Sequence, residues 1–248
     1  MLDLYSKLLL ACTKYLPLPQ KTKWKVGMRD EVHFWDNHMK QHYVRKADGT
    51  LSPEADFRLS RTTELQPQFA ALLQHLPQGP LRLIDVGSGP FSLLGKTLPG
   101  RDLEIVAVDP LAKVYAQLMD KHGIIAPLMP KECDGERLTT MFDPGSFHLA
   151  HANNCLDHAY DPIAAIEQMF QLVKPGCSVY LRHEVDVAVG ADYVGMHQWN
   201  FRNEGGKFWI SNKNRQVNVC MDEHFAGRGE LSLSYSGHMM VNIIRKLG

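Results

Sequence analysis

The sequence LRLIDVGSGPF, from Leu81 to Phe91, decides the fold of this chain. Its apolar first half has the composition of a buried strand, and Asp85 ends that run before two glycines separated by one residue. Gly87 and Gly89 can adopt backbone angles that are closed to other residues, and they bring no side chain, so a ligand can lie against the main chain there. Such a turn at the carboxyl end of a strand in an open α/β sheet forms a nucleotide-type binding crevice.

A second apolar run, LEIVAVDP, follows the first and ends at Asp109 and Pro110. A carboxylate at the end of a strand can accept hydrogen bonds from both hydroxyls of a ribose. Taken singly, Asp85 is also compatible with a turn or cap acid, and Asp109 with the cap of a helix that begins at Pro110. The glycine turn together with the spaced second acid favours nucleoside binding over these structural roles.

Strand and helix patterns alternate after residue 80, which predicts a parallel sheet with helices on both faces. The predicted strands are Leu81–Val86, Leu103–Val108, Phe147–Ala152 and Cys177–His183. The predicted helices are Phe91–Thr97, Pro110–His122 (ended by Gly123) and Ile163–Leu172 (opened by Asp161-Pro162). The motif Lys174-Pro175-Gly176 predicts the turn that leads into the last of these strands.

The C-terminal part has a different pattern. Phe208–Ser211 and Gln216–Cys220 flank a polar turn and predict a hairpin outside the main sheet. Glu230–Ser236 and Met239–Arg245 are joined by a tight Gly237-His238 turn, which predicts an antiparallel pair. The expected fold class is therefore α/β: a Rossmann-like, mostly parallel sheet with an antiparallel C-terminal hairpin, plus an N-terminal helical cap.

The N-terminal part is helical and rich in aromatic residues, and we predict that residues 1–78 form a cap or lid on a ligand-binding domain of residues 79–248. The segment 2–19, LDLYSKLLLACTKYLPLP, predicts an amphipathic helix that docks on the body or closes over a site. Lys7 interrupts it, and it is too short for a membrane span. Ser52-Pro53-Glu54 has the chemistry of a further helix start.

Charge and cysteine content restrict the function classes. Lys plus Arg and Asp plus Glu both number 27, so net charge gives no reason to expect a nucleic acid or an anionic membrane as partner. The 5 cysteines are dispersed without a CxxC pair, which is typical of reduced thiols in a cytoplasmic protein. His151, Cys155 and His158 are close in sequence, but a strand end entering a polar loop explains them better than a metal site. We therefore expect a cytoplasmic monomer or homodimer that binds a small molecule and no metal.

These motifs together resemble the class I S-adenosylmethionine (SAM)-dependent methyltransferases, from about residue 80 to the C-terminus. Asp85-Val86-Gly87-Ser88-Gly89 resembles the family's acid-x-Gly-x-Gly loop, although Phe91 stands at its third glycine position. Cys133–Glu136, Phe147–Asn154 and Val173–Cys177 resemble later segments of the family. The resemblance implies SAM as the cofactor, bound by Asp85, Gly87, Ser88, Gly89, Asp109, Pro110, Leu111, Asp134, Gly135 and Asn153.

The resemblance also implies that the methyl acceptor lies beside the loop after the strand Phe147–Ala152. His158, next to Asp157, is the candidate base, and Asn154 and His197 are further candidate catalytic residues. An alternative stays open, in which Asp157 orients the loop and His158 hydrogen-bonds to the main chain.

Other polar and aromatic side chains also belong to the expected acceptor side. His183 and Glu184 follow the next strand, and His197 lies in a loop, Gly195–Phe201, that mixes polar and aromatic residues. Four aromatic residues of the N-terminal part form either a lid over the sulfonium or a helix-face core: Tyr5, Tyr15, Trp24 and Trp35.

Three functions are compatible with a SAM site. The first is methyl transfer to a small-molecule acceptor. The second is cyclisation of SAM itself, which releases methylthioadenosine and forms azetidine-2-carboxylate. The third is a non-catalytic SAM-binding partner protein. A nicotinamide-dependent oxidoreductase would leave the antiparallel hairpin and the Asp134 segment unexplained.

Overall fold

The computed structural model describes residues 19–46 and 48–248. Residues 1–18 lie outside the described residues, and they contain nearly all of the helix expected in the segment 2–19. Tyr5, Cys12 and Tyr15 belong to this part of the chain. Ala47, in the turn before Thr50, also lies outside them.

The strands carry the predicted alternation. Numbered along the chain, they are β1 (Leu81–Val86), β2 (Leu103–Asp109), β3 (Lys131–Glu132), β4 (Phe147–Asn153), β5 (Val173–Glu184), β6 (Trp199–Glu204), β7 (Lys207–Asn212), β8 (Asn218–Cys220), β9 (Gly229–Ser236) and β10 (Met239–Lys246). Among the described residues, seven of them form one sheet in the order β3-β2-β1-β4-β5-β10-β9. Strands β1 to β5 pair in parallel, whereas β10 is antiparallel to both β5 and β9. The predicted fold class is therefore confirmed.

In the described part of the chain, three α-helices precede β1, and the other α-helices lie between the strands. Within the described residues they are α1 (Gln20–His38), α2 (Pro53–Leu59), α3 (Pro67–Leu73), α4 (Ala112–His122), α5 (Pro162–Leu172), α6 (Val187–Gly190) and α7 (Met221–His224). The Asp161 carboxylate accepts the N–H groups of Ile163 and Ala164 at 3.1 and 3.0 Å, which caps α5. Gly123 ends α4 with φ +64°. Both predicted helix termini are confirmed.

The sheet separates two parts of the apolar core. On one face, Ile84 and Val86 pack in a cluster with Ile166 and Phe170 of α5 and with Phe201 of β6. On the other face, the apolar residues of β1, β4 and β5 pack against α3, in a cluster of Leu65, Phe69, Leu73, Leu81, Leu83, Leu149 and Tyr180. Because β1 is covered on both faces, its sequence is nearly continuous in apolar residues.

The predicted helix Phe91–Thr97 is wrong: this segment is irregular and ends in a single parallel bridge, Glu64 to Thr97. Lys96 N and Leu65 N–H donate across this contact, to Thr63 O at 2.6 Å and Thr97 O at 2.8 Å. A backbone engaged by another segment cannot complete helical hydrogen bonds, so the tertiary contact overrides the local pattern.

Two further boundaries differ from the predictions. Lys174-Pro175-Gly176 lies inside β5, where the pairing with β4 shifts between Phe147 and Leu149, so the expected turn is an irregularity within one strand. Trp199 and Phe201, expected in a loop, are buried in β6. The predicted hairpin of β7 and β8 is confirmed, but within the described residues β6 adds a third strand to it.

The first described helix, α1, lies against the carboxyl-end side of the sheet. The Trp24 Nε1–H donates to the carbonyl of His158 at 3.0 Å. At the other end of α1, the Asp36 carboxylate accepts Lys121 Nζ at 2.7 Å and also pairs with His122 of α4 at 2.7 Å. These contacts hold α1 over the ends of the strands, where a ligand site is expected.

Two bulk expectations can be compared with the structure. Cys133, Cys155, Cys177 and Cys220, the cysteines of the described part, carry free thiols. None of the described helices has the length and apolar character needed to cross a membrane.

Substituting Gly95 tests the contact that joins the N-terminal part to the sheet. A Cβ at Gly95 would overlap the backbone carbonyl of Glu64, whereas a Cβ at Gly190 meets nothing within 4 Å. We expect Gly95→Ala to lower the free energy of unfolding by about 1–3 kcal/mol, because backbone must move to admit the methyl group. Urea unfolding measures this, with Gly190→Ala as the matched control; equal midpoints for the two variants would contradict it.

Candidate functional site

A cavity of about 550 Å³ lies at the carboxyl ends of β1, β2 and β4. Its wall includes the residues that the sequence assigns to the cofactor: Asp85, Gly87, Ser88, Gly89, Asp109, Pro110, Leu111, Asp134, Gly135 and Asn153. Asn154, His158 and His197 line the same cavity, and Asp157 is buried behind them. The fold therefore brings the two predicted groups of residues to one space.

The glycine turn forms one wall of the cavity, and two other lining residues, Trp35 and Cys155, pack closely on it. Gly87 and Gly89 have φ of +64° and +61°, the left-handed region that glycine adopts without strain. A Cβ at Gly87 would come within 2.6 Å of Cys155 Sγ, and one at Gly89 within 2.8 Å of the Trp35 ring. Both positions therefore require the absence of a side chain.

Asp109 is the buried carboxylate at the end of β2. Its Oδ2 accepts the N–H of Gly89 at 3.0 Å, and its Oδ1 accepts the N–H of Leu111 at 2.9 Å. Burial raises the pKa of Asp109 to about 7, and the nearby charges of Glu31 and Asp85 act in the same direction. Each oxygen has a second lone pair, so the carboxylate retains capacity for two further donors.

Asp85 is also buried, but it is paired. Its Oδ1 contacts His151 Nδ1 at 2.7 Å, and its Oδ2 accepts the Ser92 hydroxyl at 2.6 Å. Although burial opposes ionisation, the charge of His151 and these hydrogen bonds hold the pKa of Asp85 below its usual value. Asp85 thus fixes the segment after the glycine turn as well as lining the cavity. The sequence did not identify His151 and Ser92 as its partners.

A cluster of one carboxylate and two imidazoles lies at the other end of the cavity. Asp157 Oδ2 is 2.7 Å from His197 Nδ1 and 3.4 Å from His158 Nε2, and the two ring nitrogens are 3.2 Å apart. The hydrogen bond to Asp157 raises the pKa of His197. Although burial of Asp157 opposes its ionisation, the charges of His158 and His197 and the hydrogen bond lower its pKa. The cluster can therefore hold or accept a proton beside the cavity.

The two asparagines at the end of β4 and directly after it, Asn153 and Asn154, have structural hydrogen bonds. Asn154 has φ +48°, and its Oδ1 accepts the N–H of Glu184 at 3.2 Å. Asn153 Oδ1 accepts Arg182 Nη1 at 3.0 Å. These bonds fix both side chains at the edge of the cavity.

His183, the sheet-end histidine, is buried beside the Phe201 ring and does not line the cavity. Neither of its ring nitrogens has a hydrogen-bond partner among the described residues, and burial lowers its pKa to about 4. A neutral imidazole within the core is the consequence.

Three residues of α1 that line the cavity are Trp24, Glu31 and Trp35. Glu31 was not identified from the sequence. It lies between the two tryptophans in sequence, accepts the Trp35 Nε1–H at 2.8 Å and faces His158 Nδ1 at 3.9 Å. Spacings of seven and four residues put Trp24, Glu31 and Trp35 on one helix face, and this was the available signal.

Comparisons with known proteins agree with this geometry. A family model described as a methyltransferase domain matches residues 57–216. A ubiquinone biosynthesis O-methyltransferase of Albidiferax ferrireducens is 26% identical over 187 residues, which are 67% of this chain and 73% of that protein.

One solved structure at low sequence identity shows the same fold. The CMeT domain of the citrinin polyketide synthase superposes with a TM-score of 0.50 at 16% identity, over 72% of this chain and 50% of that one. The CurJ carbon methyltransferase gives a TM-score of 0.49 at 13% identity, over 71% and 51%. The chain thus spans about half the length of these two solved chains.

The raised pKa of Asp109 predicts a pH-dependent cost of burying its charge. With a folded pKa of about 7 and an unfolded pKa near 3.8, Asp109 is protonated in both states below pH 3.8 and costs the fold nothing there. As pH rises from 3.8 to 7, only the unfolded state loses the proton, so the free energy of unfolding falls until the folded state ionises too. We expect Asp109→Asn to gain stability relative to the parent chain between pH 4 and 8, by on the order of a few kcal/mol.

Thermal unfolding across that pH range measures the difference. Asp102→Asn is the matched control, because Asp102 is exposed just before the same strand. If Asp109→Asn and the parent chain have parallel pH profiles, burial does not raise this pKa.

Proposed function

Because the chain belongs to the class I SAM-dependent methyltransferases, for which SAM is the methyl donor, we propose that it methylates a small molecule held between the glycine turn and the His158–His197 pair. The observation that carries this proposal is the cavity of about 550 Å³, because one space is lined both by Asp109 and by the two histidines. That volume is within the range of small-molecule sites, roughly 300–1,000 Å³.

The residues at the first end of the cavity fit SAM. Asp109 keeps a lone pair on each oxygen for the two ribose hydroxyls, after accepting the N–H groups of Gly89 and Leu111. A Cβ at Gly87 or Gly89 would meet side chains that pack on the turn. Asp134 and Gly135 lie on the same cavity wall and are assigned to the adenine. We therefore assign the ten predicted cofactor residues to SAM binding.

When bound, SAM supplies a methyl carbon that is activated by a positive sulfonium. The residues of the chain then have to align the acceptor and exclude water, and alignment alone is worth roughly 7–11 kcal/mol of barrier. Trp24, Met28 and Trp35 of α1 provide apolar wall for this purpose. Asn154, anchored by the N–H of Glu184, is a candidate to orient the acceptor.

Removal of the acceptor proton is assigned to the histidine cluster. In this proposal a ring nitrogen of His158 takes the proton of an acceptor hydroxyl as the bond from oxygen to the methyl carbon forms and the sulfur–carbon bond breaks. Asp157, buried beside both imidazoles, stabilises the resulting positive charge. His197, hydrogen-bonded to Asp157, orients that carboxylate.

Two observations support a small acceptor. The relative from Albidiferax ferrireducens is named an O-methyltransferase of ubiquinone biosynthesis, and an oxygen acceptor suits a cluster that accepts protons. The net charge of 0 gives no general attraction for a nucleic acid.

Variants of His158 test the assigned base. We expect His158→Gln to lower kcat by about 10²- to 10⁴-fold, the usual contribution of a general base, with little change in the Kd for SAM. The control is His33→Gln, since His33 is an exposed histidine of α1. Single-turnover methyl transfer and calorimetric SAM binding measure the two quantities; an equal loss in both variants would contradict the assignment.

The reaction itself is tested by incubating the protein with SAM carrying a deuterated methyl group, with and without a panel of phenols and hydroxy acids. We expect a labelled acceptor and S-adenosylhomocysteine in mass spectrometry. Methylthioadenosine and azetidine-2-carboxylate from SAM alone would instead establish cyclisation. SAM binding without any turnover, together with co-purification of a catalytic protein, would establish a non-catalytic partner.

A further inference from the structure

We propose that Asp157, His158 and His197 form a binding site for a divalent transition-metal ion of the Zn²⁺ type at the edge of the acceptor cavity. The sequence predicts no metal site, because the ligands come from two segments: His158 follows β4 and His197 precedes β6, 39 positions further along the chain. One ligand atom from each of the three residues lies within 4.8 Å of the others. Imidazole nitrogens with a carboxylate oxygen are a ligand set typical of zinc.

Two of the three distances match one face of a coordination tetrahedron, and the third is shorter because it is a hydrogen bond. Asp157 Oδ2, His158 Nε2 and His197 Nδ1 form a triangle with sides of 2.7, 3.2 and 3.4 Å. Bonds of about 2.0–2.1 Å in a tetrahedral zinc site place ligand atoms roughly 3.3 Å apart. A cation bound by all three atoms would replace the proton that His197 and Asp157 now share at 2.7 Å.

The surroundings of the triangle have the features of an outer coordination shell. Metal-bound imidazoles usually direct their second nitrogen to a carboxylate, and His158 Nδ1 faces Glu31 Oε2 at 3.9 Å. The Trp35 indole fixes Glu31, and the Trp24 indole fixes the His158 carbonyl. Both therefore restrict the orientation of the His158 ring.

A second observation comes from Asp157 itself. Its side chain is 3% exposed, and its Oδ1 is buried without a hydrogen-bond partner among the described residues. Burying an unpaired carboxylate oxygen is costly. A bound cation reduces that cost, because the carboxylate can bind it through one or both oxygens.

The charge around the histidine pair also favours a cation. A second cavity, of about 280 Å³, touches His158 and His197 from the side of α1. Its charged lining residues are Asp30 and Glu31, and no lysine or arginine lines it within the described part of the chain. On this side of the histidine pair the charged side chains are therefore acidic, which favours a cation over an anion.

Three protein ligands leave a fourth coordination position, as in catalytic zinc sites. His158 and His197 line the acceptor cavity, so this position is available to an acceptor hydroxyl. This consequence rests on the proposed function: the ion would lower the pKa of the hydroxyl, whose proton passes to water, in place of a proton transfer to His158. Binding of the ion itself does not depend on methyl transfer.

Metal content measures the proposal directly. After removal of any affinity tag, the full chain is dialysed against excess Zn²⁺ and then against buffer, and bound zinc is measured by inductively coupled plasma mass spectrometry. We expect close to one ion per chain in the parent protein and a loss of most of it in Asp157→Asn and His197→Gln. His122→Gln, which removes a histidine paired with Asp36 at 2.7 Å outside the cluster, is the matched control and should keep its zinc.

Because Asp157 is buried, its substitution could remove zinc by unfolding the chain. A variant at a less buried residue therefore provides a second test. Glu31→Gln removes the carboxylate that faces His158 Nδ1, keeps an oxygen that can accept the Trp35 Nε1–H, and should weaken zinc affinity by about 10- to 100-fold. In parallel, Co²⁺ titration of the parent protein should give the visible absorption of a tetrahedral nitrogen and oxygen site. A metal-free parent chain, or zinc retained in Asp157→Asn and His197→Gln with folded circular dichroism spectra, would overturn the proposal.

The outcomes also separate this inference from the proposed function. Zinc bound by the cluster without any methylated acceptor would keep the metal site and remove the methylation of a small molecule. Methyl transfer by a parent chain that binds no zinc in the dialysis experiment would keep the function and remove the metal site.

Discussion

The hydrogen bond from the Gly89 N–H to the buried carboxylate of Asp109 is the constraint on which the site depends. A carboxylate taken out of water has to be matched by donors, and here the donors are the backbone groups that follow β1 and β2. The bond therefore holds the turns after the two strands against each other. Because the first of these turns contains glycines, Trp35 and Cys155 can approach its backbone directly. One polar interaction thus sets both the position of the turn and the shape of the cavity wall.

The helix α1 connects the two ends of the cavity. Trp35 packs on the glycine turn, and Trp24, eleven residues earlier, donates to the carbonyl of His158. Eleven residues of α-helix span about 16 Å, so a single rigid element contacts both the cofactor end and the histidine cluster. Glu31 lies between the two tryptophans in sequence and faces His158. Its negative charge also contributes to the raised pKa of Asp109. A displacement of α1 at one end would therefore be transmitted to the other.

The sequence predicts the parts of this protein that rest on local signals. The run up to Gly89, the acid at Asp109 and the tight turn before β10 each carry their information within a few residues. The alternation of strands and helices and the antiparallel C-terminal pair were predicted from such local signals, whereas the order of the strands was not. The helix expected at Phe91–Thr97 fails because residues 63–65 take its backbone groups. His197 and Asp157 are 40 positions apart in the sequence, and a local pattern of residues cannot predict a contact over that distance. Glu31 was missed for a related reason, because a glutamate on an amphipathic helix is ordinarily a solvated residue.

The grouping of Glu31, Asp85 and Asp109 has a consequence for turnover. Their mutual repulsion contributes to the raised pKa of Asp109, so a positive ligand relieves it. SAM carries a sulfonium charge, whereas the thioether left after methyl transfer is neutral. If these residues bind SAM as proposed, the same carboxylates would attract the charged donor more strongly than its neutral product. The electrostatics that favour capture before the reaction would then also favour release after it, without any movement of the protein.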